Sequence, residues 1–154
     1  MEKKIKVAFF SANRAEYSLI RPFIKKFSNN NKFKVDFIIS GSHLDQKFGR
    51  SFDEIKLDKK KNIHKIVISL NTNKLINTVN YFNLLQKRLS KVINKINPDI
   101  VFISSDRFET MSFAITSYLM KIPIIHYEGG DITEGGALDD NIRHAITKLS
   151  NIHL

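Results

Sequence analysis

The 154-residue sequence contains no cysteine and no tryptophan. Without cysteine there is no disulfide framework, no thiolate metal site and no thiol nucleophile. No apolar run approaches the ~20 residues that a membrane-spanning helix needs, so no membrane partner is expected. The opening Met1-Glu2-Lys3-Lys4 leads straight into Ile5-Lys6-Val7-Ala8-Phe9-Phe10. That stretch is too short and too promptly structured for a signal peptide, and the expected compartment is the cytoplasm. Negative charge is the scarcer sign: 15 Asp+Glu stand against 25 Lys+Arg, a formal net charge of +10. The basic residues cluster at Lys25-Lys26, at Lys59-Lys60-Lys61 and at Lys87-Arg88 with Lys91 and Lys95. They fall on predicted helix faces and loops, interleaved with Asn, and no aromatic ladder or nucleic-acid-binding signature accompanies them. A solvated basic surface is therefore expected rather than a nucleic-acid partner, although the charge helps any anionic ligand approach.

Hydrophobic residues make up 42% of the sequence, and Ile, Phe, Leu and Val recur in blocks that a disordered chain lacks. A chain of this length fits one domain and buries roughly two-thirds of its unfolded surface. Strand and helix patterns alternate throughout. Apolar strands are predicted at Ile5–Phe10, Phe33–Ser40, Ile63–Leu70, Ile100–Ser104 and Ile122–His126. Helical spacing marks Tyr17 to Phe27, where Pro22 implies a kink or a helix that starts only shortly before it. One helical turn is expected around Ser51–Leu57. A long amphipathic helix runs from Leu75 to Ile96 and stops before Asn97-Pro98-Asp99, because Pro98 forbids continuation. Further helices are predicted over Phe108–Met120 and from Asp139 onward. There are no internal repeats or linkers. Short, nearly continuous apolar strands, each followed by a helix, indicate an α/β domain: a three-layer, Rossmann-like parallel sheet covered on both faces.

In such sheets ligands bind beyond the carboxyl ends of the strands, near the point where strand order reverses. The segments after the strands therefore share one rim. They carry Asn13, Arg14 and Glu16; Gly41, Ser42 and His43; Ser105, Asp106 and Arg107; and His126, Glu128, Gly129, Gly130, Asp131, Glu134, Gly135, Gly136, Asp139 and Asp140. Each has a plainer role available. Asp106 suits a helix N-cap, Asp139 and Asp140 suit the positive end of a helix dipole, and His126 suits a satisfied core position. Arg14 suits either a surface charge or a bidentate phosphate grip. A metal set of His126, Glu128, Asp131 and Asp139 lacks any recognised ligand spacing, so no metal is expected. The coincidence of so many carboxylates, arginines and histidines on one rim points to an active site.

Four segments carry a family resemblance: NRAEYSLIRP (13–22), SGSHLDQKFG (40–49), PDIVFISSDRFE (98–109) and IIHYEGGDITEGGALDDNIRHAITKLS (124–150). Together, and in collinear order over nearly the whole chain, they resemble the hydrolysing UDP-N-acetylglucosamine 2-epimerases. These are the bacterial enzymes of sialic-acid-type sugar synthesis and the epimerase half of the bifunctional animal enzyme. The resemblance implies a pair of Rossmann-like domains in the GT-B arrangement, with the active site between them. Residues 1–154 match the N-terminal domain, so a fragment is expected, with the C-terminal domain outside this chain. It implies a UDP-sugar as partner, no cofactor, and room for a homo-oligomer when full length. The family eliminates UDP across C1–C2 to a glycal and then adds water. By position, Asp106, Glu128 and Asp139 match its catalytic carboxylates, with Asp140 beside them. Arg14 and Ser18 match nucleotide-side contacts, and Arg107 matches a substrate-binding arginine. His43, His126 and Arg143 lie in shared motifs and join the substrate-binding set without an assigned role. Two departures stand out: Ser105 replaces the first glycine of a G-D-R turn, and Asp131 replaces the Glu of G-G-E. The substrate implied is UDP-N-acetylglucosamine, giving N-acetylmannosamine and UDP. The alternatives are UDP-N,N′-diacetylbacillosamine, or a non-catalytic nucleotide-sugar-binding fragment.

Overall fold

The computed structural model describes residues 3–45, 51–57, 62–69, 74–133 and 139–154. The chain runs β1 (Ile5–Ser11), α1 (Arg14–Ser28), β2 (Phe33–Ile39), a short 3-10 turn (Gly41–Leu44), α2 (Ser51–Leu57) and β3 (Asn62–Lys65). It continues through α3 (Leu75–Ile96), β4 (Ile100–Ser104), α4 (Phe108–Leu119), β5 (Ile124–Tyr127), α5 (Asp139–Leu149) and β6 (Ile152–His153). The six strands form one sheet in the order β3-β2-β1-β4-β5-β6, and every neighbouring pair is parallel.

Parallel strands need crossover connections that cover both faces of the sheet, so their residues must be apolar on both sides. β1 meets this demand residue by residue. Val7 and Phe9 face one core with Tyr17, Ile20 and Ile24 of α1. Ala8 and Phe10 face the other core with Leu85, Leu89 and Ile93 of α3 and Phe113 of α4. Phe9 stacks on Phe102 at 5.0 Å between ring centroids, and Phe10 on Phe113 at 4.8 Å. Each fully buried phenyl contributes about 1.5–3 kcal/mol of transfer free energy. Helices on both faces give the expected three layers.

The sheet reverses direction of growth between β1 and β4. Their shared ladder covers only Val7–Phe9 against Ile100–Phe102. β1 stays paired with β2 as far as Ser11, and β4 with β5 as far as Ser104. Beyond Phe9 and Phe102 the two central strands turn to their outer neighbours, and a crevice opens at their carboxyl ends.

Three local expectations meet corrections, and one element is unexpected. Helix α1 begins at Arg14, well before Pro22: Pro22 sits in its interior on the exposed side, forfeiting one backbone hydrogen bond. β3 is shorter than Ile63–Leu70; only Asn62–Lys65 pairs with β2, although the Ile66 amide still reaches Ile39 O at 2.9 Å. Leu70 lies outside the described residues. β5 starts at Ile124 rather than Ile122, because Pro123 offers the ladder only its carbonyl, which accepts from the Val101 amide at 2.9 Å. The edge strand β6, two residues long, has too little pattern to be predicted. The end of α3 is as read: Asn97 takes the left-handed conformation (φ 48°) and its amide donates to Ile93 O at 2.7 Å, the geometry of a helix C-terminus before proline.

Candidate active site

Two polar clusters stand at the carboxyl ends of the strands. The first, beyond β1 and β2, is closed. Asn13 caps α1 by accepting the Glu16 amide at 3.0 Å, and the Glu16 side chain returns toward the cap backbone, a reciprocal capping box. The Glu16 carboxylate is 2% exposed. It accepts from the Ala12 amide at 2.6 Å, the Asn13 amide at 3.3 Å, the Ser11 hydroxyl at 3.3 Å and, from α4, the Thr110 hydroxyl at 2.9 Å. Burial pushes its pKa up, against the hydrogen bonds from Ala12 and Thr110. His43 is 1% exposed and faces Ser11 Oγ and Ser51 Oγ, each at 2.8 Å. Burial brings its pKa down to about 4, so the ring is neutral at physiological pH. Gly41 completes the seal: it sits at φ 57°, and a Cβ there would lie 2.6 Å from Ala12 O.

The second cluster, beyond β4 and β5, is open. Arg143 of α5 reaches across to the turn after β4, where its Nη2 donates to Asp106 Oδ2. Its Nη1 donates to Asp140 Oδ1 at 2.9 Å, to Asp131 O at 2.9 Å and to Thr133 Oγ1 at 3.3 Å. Asp140 also accepts the Thr133 amide at 3.0 Å and hydroxyl at 2.8 Å. The Thr133 hydroxyl is the chief cause that holds the Asp140 carboxyl below its usual range; the Thr133 amide and the Arg143 charge add to it, and desolvation opposes it. Desolvation likewise opposes the Arg143 charge, but the Asp106 hydrogen bond and the surrounding carboxylates more than offset it. Asp106, Glu128, Thr133 and Arg143 line a cleft of about 420 Å³ with Ser105 and with Leu19 from α1. That volume lies within the range of small-molecule sites, roughly 300–1,000 Å³.

Two of the four described non-glycine residues at positive φ lie on this open side. Ser105 (φ 82°) and Glu128 (φ 62°) both take left-handed conformations, each unfavourable for a residue with a Cβ by about 1–2 kcal/mol. Between them lies His126, 0% exposed. Its Nε2 faces Ser105 O at 3.3 Å. A carbonyl only accepts, so the proton sits on Nε2. Its Nδ1 faces the Thr147 hydroxyl at 3.2 Å. Burial lowers its pKa. A cation flanked by two carboxylates, with a further carboxylate on the same open wall, can move protons and stabilise a departing anion.

Residues 25–154 match the sequence profile of the family described as UDP-N-acetylglucosamine 2-epimerase. The chain belongs to that family. It is 36% identical over 150 residues to the GDP/UDP-N,N′-diacetylbacillosamine 2-epimerase (hydrolyzing) of Campylobacter jejuni, across 97% of this chain and 38% of that protein. To the UDP-N-acetylglucosamine 2-epimerase of Neisseria meningitidis it is 27% identical over 153 residues, across 97% and 38%. The crystal structure of the UDP-GlcNAc 2-epimerase from Neisseria meningitidis bound to UDP-GlcNAc superposes with a TM-score of 0.79 at 20% identity. That match covers 95% of this chain and 39% of that one. The chain thus spans about 38% of the length of the curated relatives it matches, and over that span it has the Rossmann-like fold expected of the first half of a GT-B arrangement.

Within this epimerase-family chain, the structure brings Asp106, Glu128, Asp140 and Arg143 together and leaves other expected site residues apart. Asp106 is not a cap: Arg107 holds the N-cap position of α4, and the Asp106 carboxylate turns to Arg143. Asp139 is exposed on the first turn of α5; desolvation opposes the Arg107 charge, but Glu109 chiefly, with smaller help from Glu16 and Asp139, raises its pKa. The Arg107 side chain is 49% exposed and donates through Nε and Nη2 to the two Glu109 oxygens at 3.2 and 3.3 Å. Arg14 and Ser18 are exposed in the first turns of α1, with the Ser18 hydroxyl on Arg14 O at 3.0 Å. Leu19 from this helix borders the cleft. His43 and His126 do not reach the cleft; both are buried with both ring nitrogens occupied. Glu16 turns inward from the rim on which its strand-end position put it. Among the described residues no group of three or more His, Asp or Glu side chains is placed to hold a metal ion. No helix among them is long and apolar enough to cross a membrane. Glu134, Gly135, Gly136 and the Lys59-Lys60-Lys61 cluster lie outside the described residues.

Sequence reasoning missed Thr133 and Thr147, hydroxyls in a loop and on a helix that carry no pattern of their own. Glu16 did leave a signal: Asn at a strand end with Glu three residues later spells a capping box.

Proposed function

We propose that residues 1–154 form the N-terminal lobe of a hydrolysing UDP-2-acetamido-sugar 2-epimerase, the sugar lying in the cleft beside Asp106, Glu128 and Arg143. The observation that carries this reading is that those three side chains line one cleft beyond the carboxyl ends of β4 and β5, in a chain of the epimerase family. A C-terminal lobe facing the same rim completes the site.

The reaction sets four demands. A base removes the C2 proton while the C1–O bond breaks, leaving a C1=C2 glycal and UDP. Water then adds to C1, and a proton returns to C2 from the opposite face. Two carboxyl groups on one wall supply the base and the acid. Asp106 and Glu128 are those two groups in this reading. Asp140, occupied by Thr133, anchors Arg143 against Asp106. Asp139, exposed on the first turn of α5, is a further carboxylate candidate in this reading. Arg14, Ser18 and Arg107 are read as the side where the diphosphate leaves, and the positive charge of the two arginines, set within the +10 of the chain, favours an anionic nucleotide. The sequence is redox-neutral and calls for no cofactor. A nucleotide-sugar substrate makes the cytoplasm the natural setting.

UDP-N-acetylglucosamine is the first substrate to test. The 36% identity to the diacetylbacillosamine enzyme, against 27% to the N-acetylglucosamine enzyme, favours UDP-N,N′-diacetylbacillosamine as the second. The full-length protein, given each nucleotide sugar, is expected to release UDP and the 2-epimeric free sugar from one of them. UDP release from neither would overturn the reading.

A further inference from the structure

We propose that His126 is a positioning residue that holds Asp106 and Arg143 in register from beneath the cleft. The inference rests on the reading of that cleft as the catalytic one.

The ring touches three segments that must agree for the Asp106–Arg143 pair to form. Nε2 holds the carbonyl of Ser105 at 3.3 Å, the residue immediately before Asp106. Ser105 is left-handed at φ 82°, a conformation that a serine leaves readily unless its surroundings hold it. Nδ1, the acceptor in this tautomer, lies 3.2 Å from the Thr147 hydroxyl, whose single proton it shares with the carbonyl of Arg143, 2.9 Å away and one helical turn back. One imidazole therefore ties the backbone that aims Asp106 to the turn of α5 that carries its cationic partner. The third segment lies across the ring's edge. A Cβ on Gly129 would fall 2.7 Å from His126 Nδ1 and 3.2 Å from Thr147 Oγ1. The Glu128-Gly129 turn is thus seated directly on the histidine, and only glycine permits that approach. His126 is 0% exposed, so it acts through these neighbours and not on substrate.

The test uses the full-length protein and its nucleotide-sugar substrate. His126→Phe keeps a flat ring and removes both polar atoms, freeing Ser105 to relax. A displacement of about 1 Å at the reacting groups costs about 100-fold in turnover, so kcat is expected to fall about 100-fold with KM little changed. His126→Gln, which returns an N–H donor at the reach of Nε2, is expected to recover most of that loss. Ser105→Gly in the His126→Phe background makes the left-handed turn free of strain. It is expected to raise kcat about 10-fold more than it does in the parent, a recovery that simple loss of core packing does not predict. If His126→Phe fails to fold, Thr147→Val keeps shape, removes only the second anchor and is read against Ser105→Gly in the same way. Turnover within about 3-fold of the parent in His126→Phe, or strictly additive effects with Ser105→Gly, would overturn the inference. Asp106→Asn separates the two levels. If it is as active as the parent, the reading of the cleft falls and takes this inference with it. If it is inactive while His126→Phe is not impaired, the positioning role alone falls.

Discussion

The two polar clusters at the strand ends are built from the same residue types and do opposite things. On the β1–β2 side, Glu16 and His43 are sealed from solvent and fully partnered, and the one left-handed position beside them is filled by Gly41 without strain. On the β4–β5 side, Asp106, Glu128 and Arg143 face an open cleft, and beside the left-handed Gly130 two further left-handed positions are filled by residues with a Cβ, Ser105 and Glu128. Strand-end position fixes where a carboxylate or histidine can go. Burial and backbone conformation decide whether it holds the fold together or faces a ligand. A buried, satisfied carboxylate stabilises loops by collecting their orphan amides; a strained, half-exposed one is held in readiness at a cost to stability.

The largest effect that distinguishes the clusters is on turnover. In the full-length protein, Asp106→Asn and Glu128→Gln each remove a proton-transfer group while keeping its shape. Each is expected to lower kcat by about 10²–10⁴-fold with little change in thermal unfolding. Steady-state UDP release, read beside the unfolding midpoint, makes the comparison. Normal turnover in either variant would erase the distinction for that residue and return it to the structural side.

The closed cluster has the complementary signature, a stability that depends on pH. His43 titrates near 4 when folded and near 6.5 when unfolded. Below about pH 6.5 the unfolded chain therefore binds a proton that the folded chain refuses, and folding stability falls as pH drops through the window from 6.5 to 4. The difference of about 2.5 pH units corresponds to about 3 kcal/mol. Glu16 works with the opposite sign, because its raised pKa makes the folded state the stronger proton binder above the usual carboxylate range. Comparing the parent with His43→Gln isolates the histidine. The stability advantage of the parent, measured by urea unfolding, is expected to shrink by about 3 kcal/mol between pH 7 and pH 4. An advantage independent of pH would mean that the ring is solvated and that the cluster is not closed.

Most of this architecture was legible before any coordinates. Continuous apolar strands such as Phe33–Ile39 and the uninterrupted spacing from Leu75 to Ile96 fixed the layers, because burial on both faces or on one stripe leaves a periodic mark. The rim followed from topology alone. What stayed hidden was inside and outside along that rim. His43 and Asp106 each follow a strand, and nothing in the local pattern says that one ring folds beneath the 3-10 turn while the other side chain reaches Arg143, 37 residues on. The orientation of a side chain in a turn depends on backbone conformation at one or two residues, such as φ at Ser105, and that has no periodicity to read. Weak elements were hidden for a related reason. β6 is two residues at the sheet edge, held by its pairing with β5 rather than by any propensity of its own.

Strain at Ser105 gives the smallest and sharpest test of the contrast. The left-handed conformation at φ 82° costs serine about 1–2 kcal/mol through the approach of its Cβ to the backbone. Ser105→Gly removes that term, but glycine's extra freedom in the unfolded chain returns about 0.5–1 kcal/mol, and the weak hydroxyl contact to Asp106 Oδ1 at 3.3 Å is lost as well. The net expectation is a gain of about 0.5 kcal/mol in unfolding free energy. Ser105→Ala is the control: it keeps the Cβ and the strain while losing the same hydroxyl, so it is expected to be slightly less stable than the parent. A gain in the glycine variant together with a loss in the alanine variant separates backbone strain from hydroxyl contact. Equal shifts in both variants would show that the turn after β4 is as relaxed as the one at Gly41, and the two sides of the rim would then differ in exposure alone.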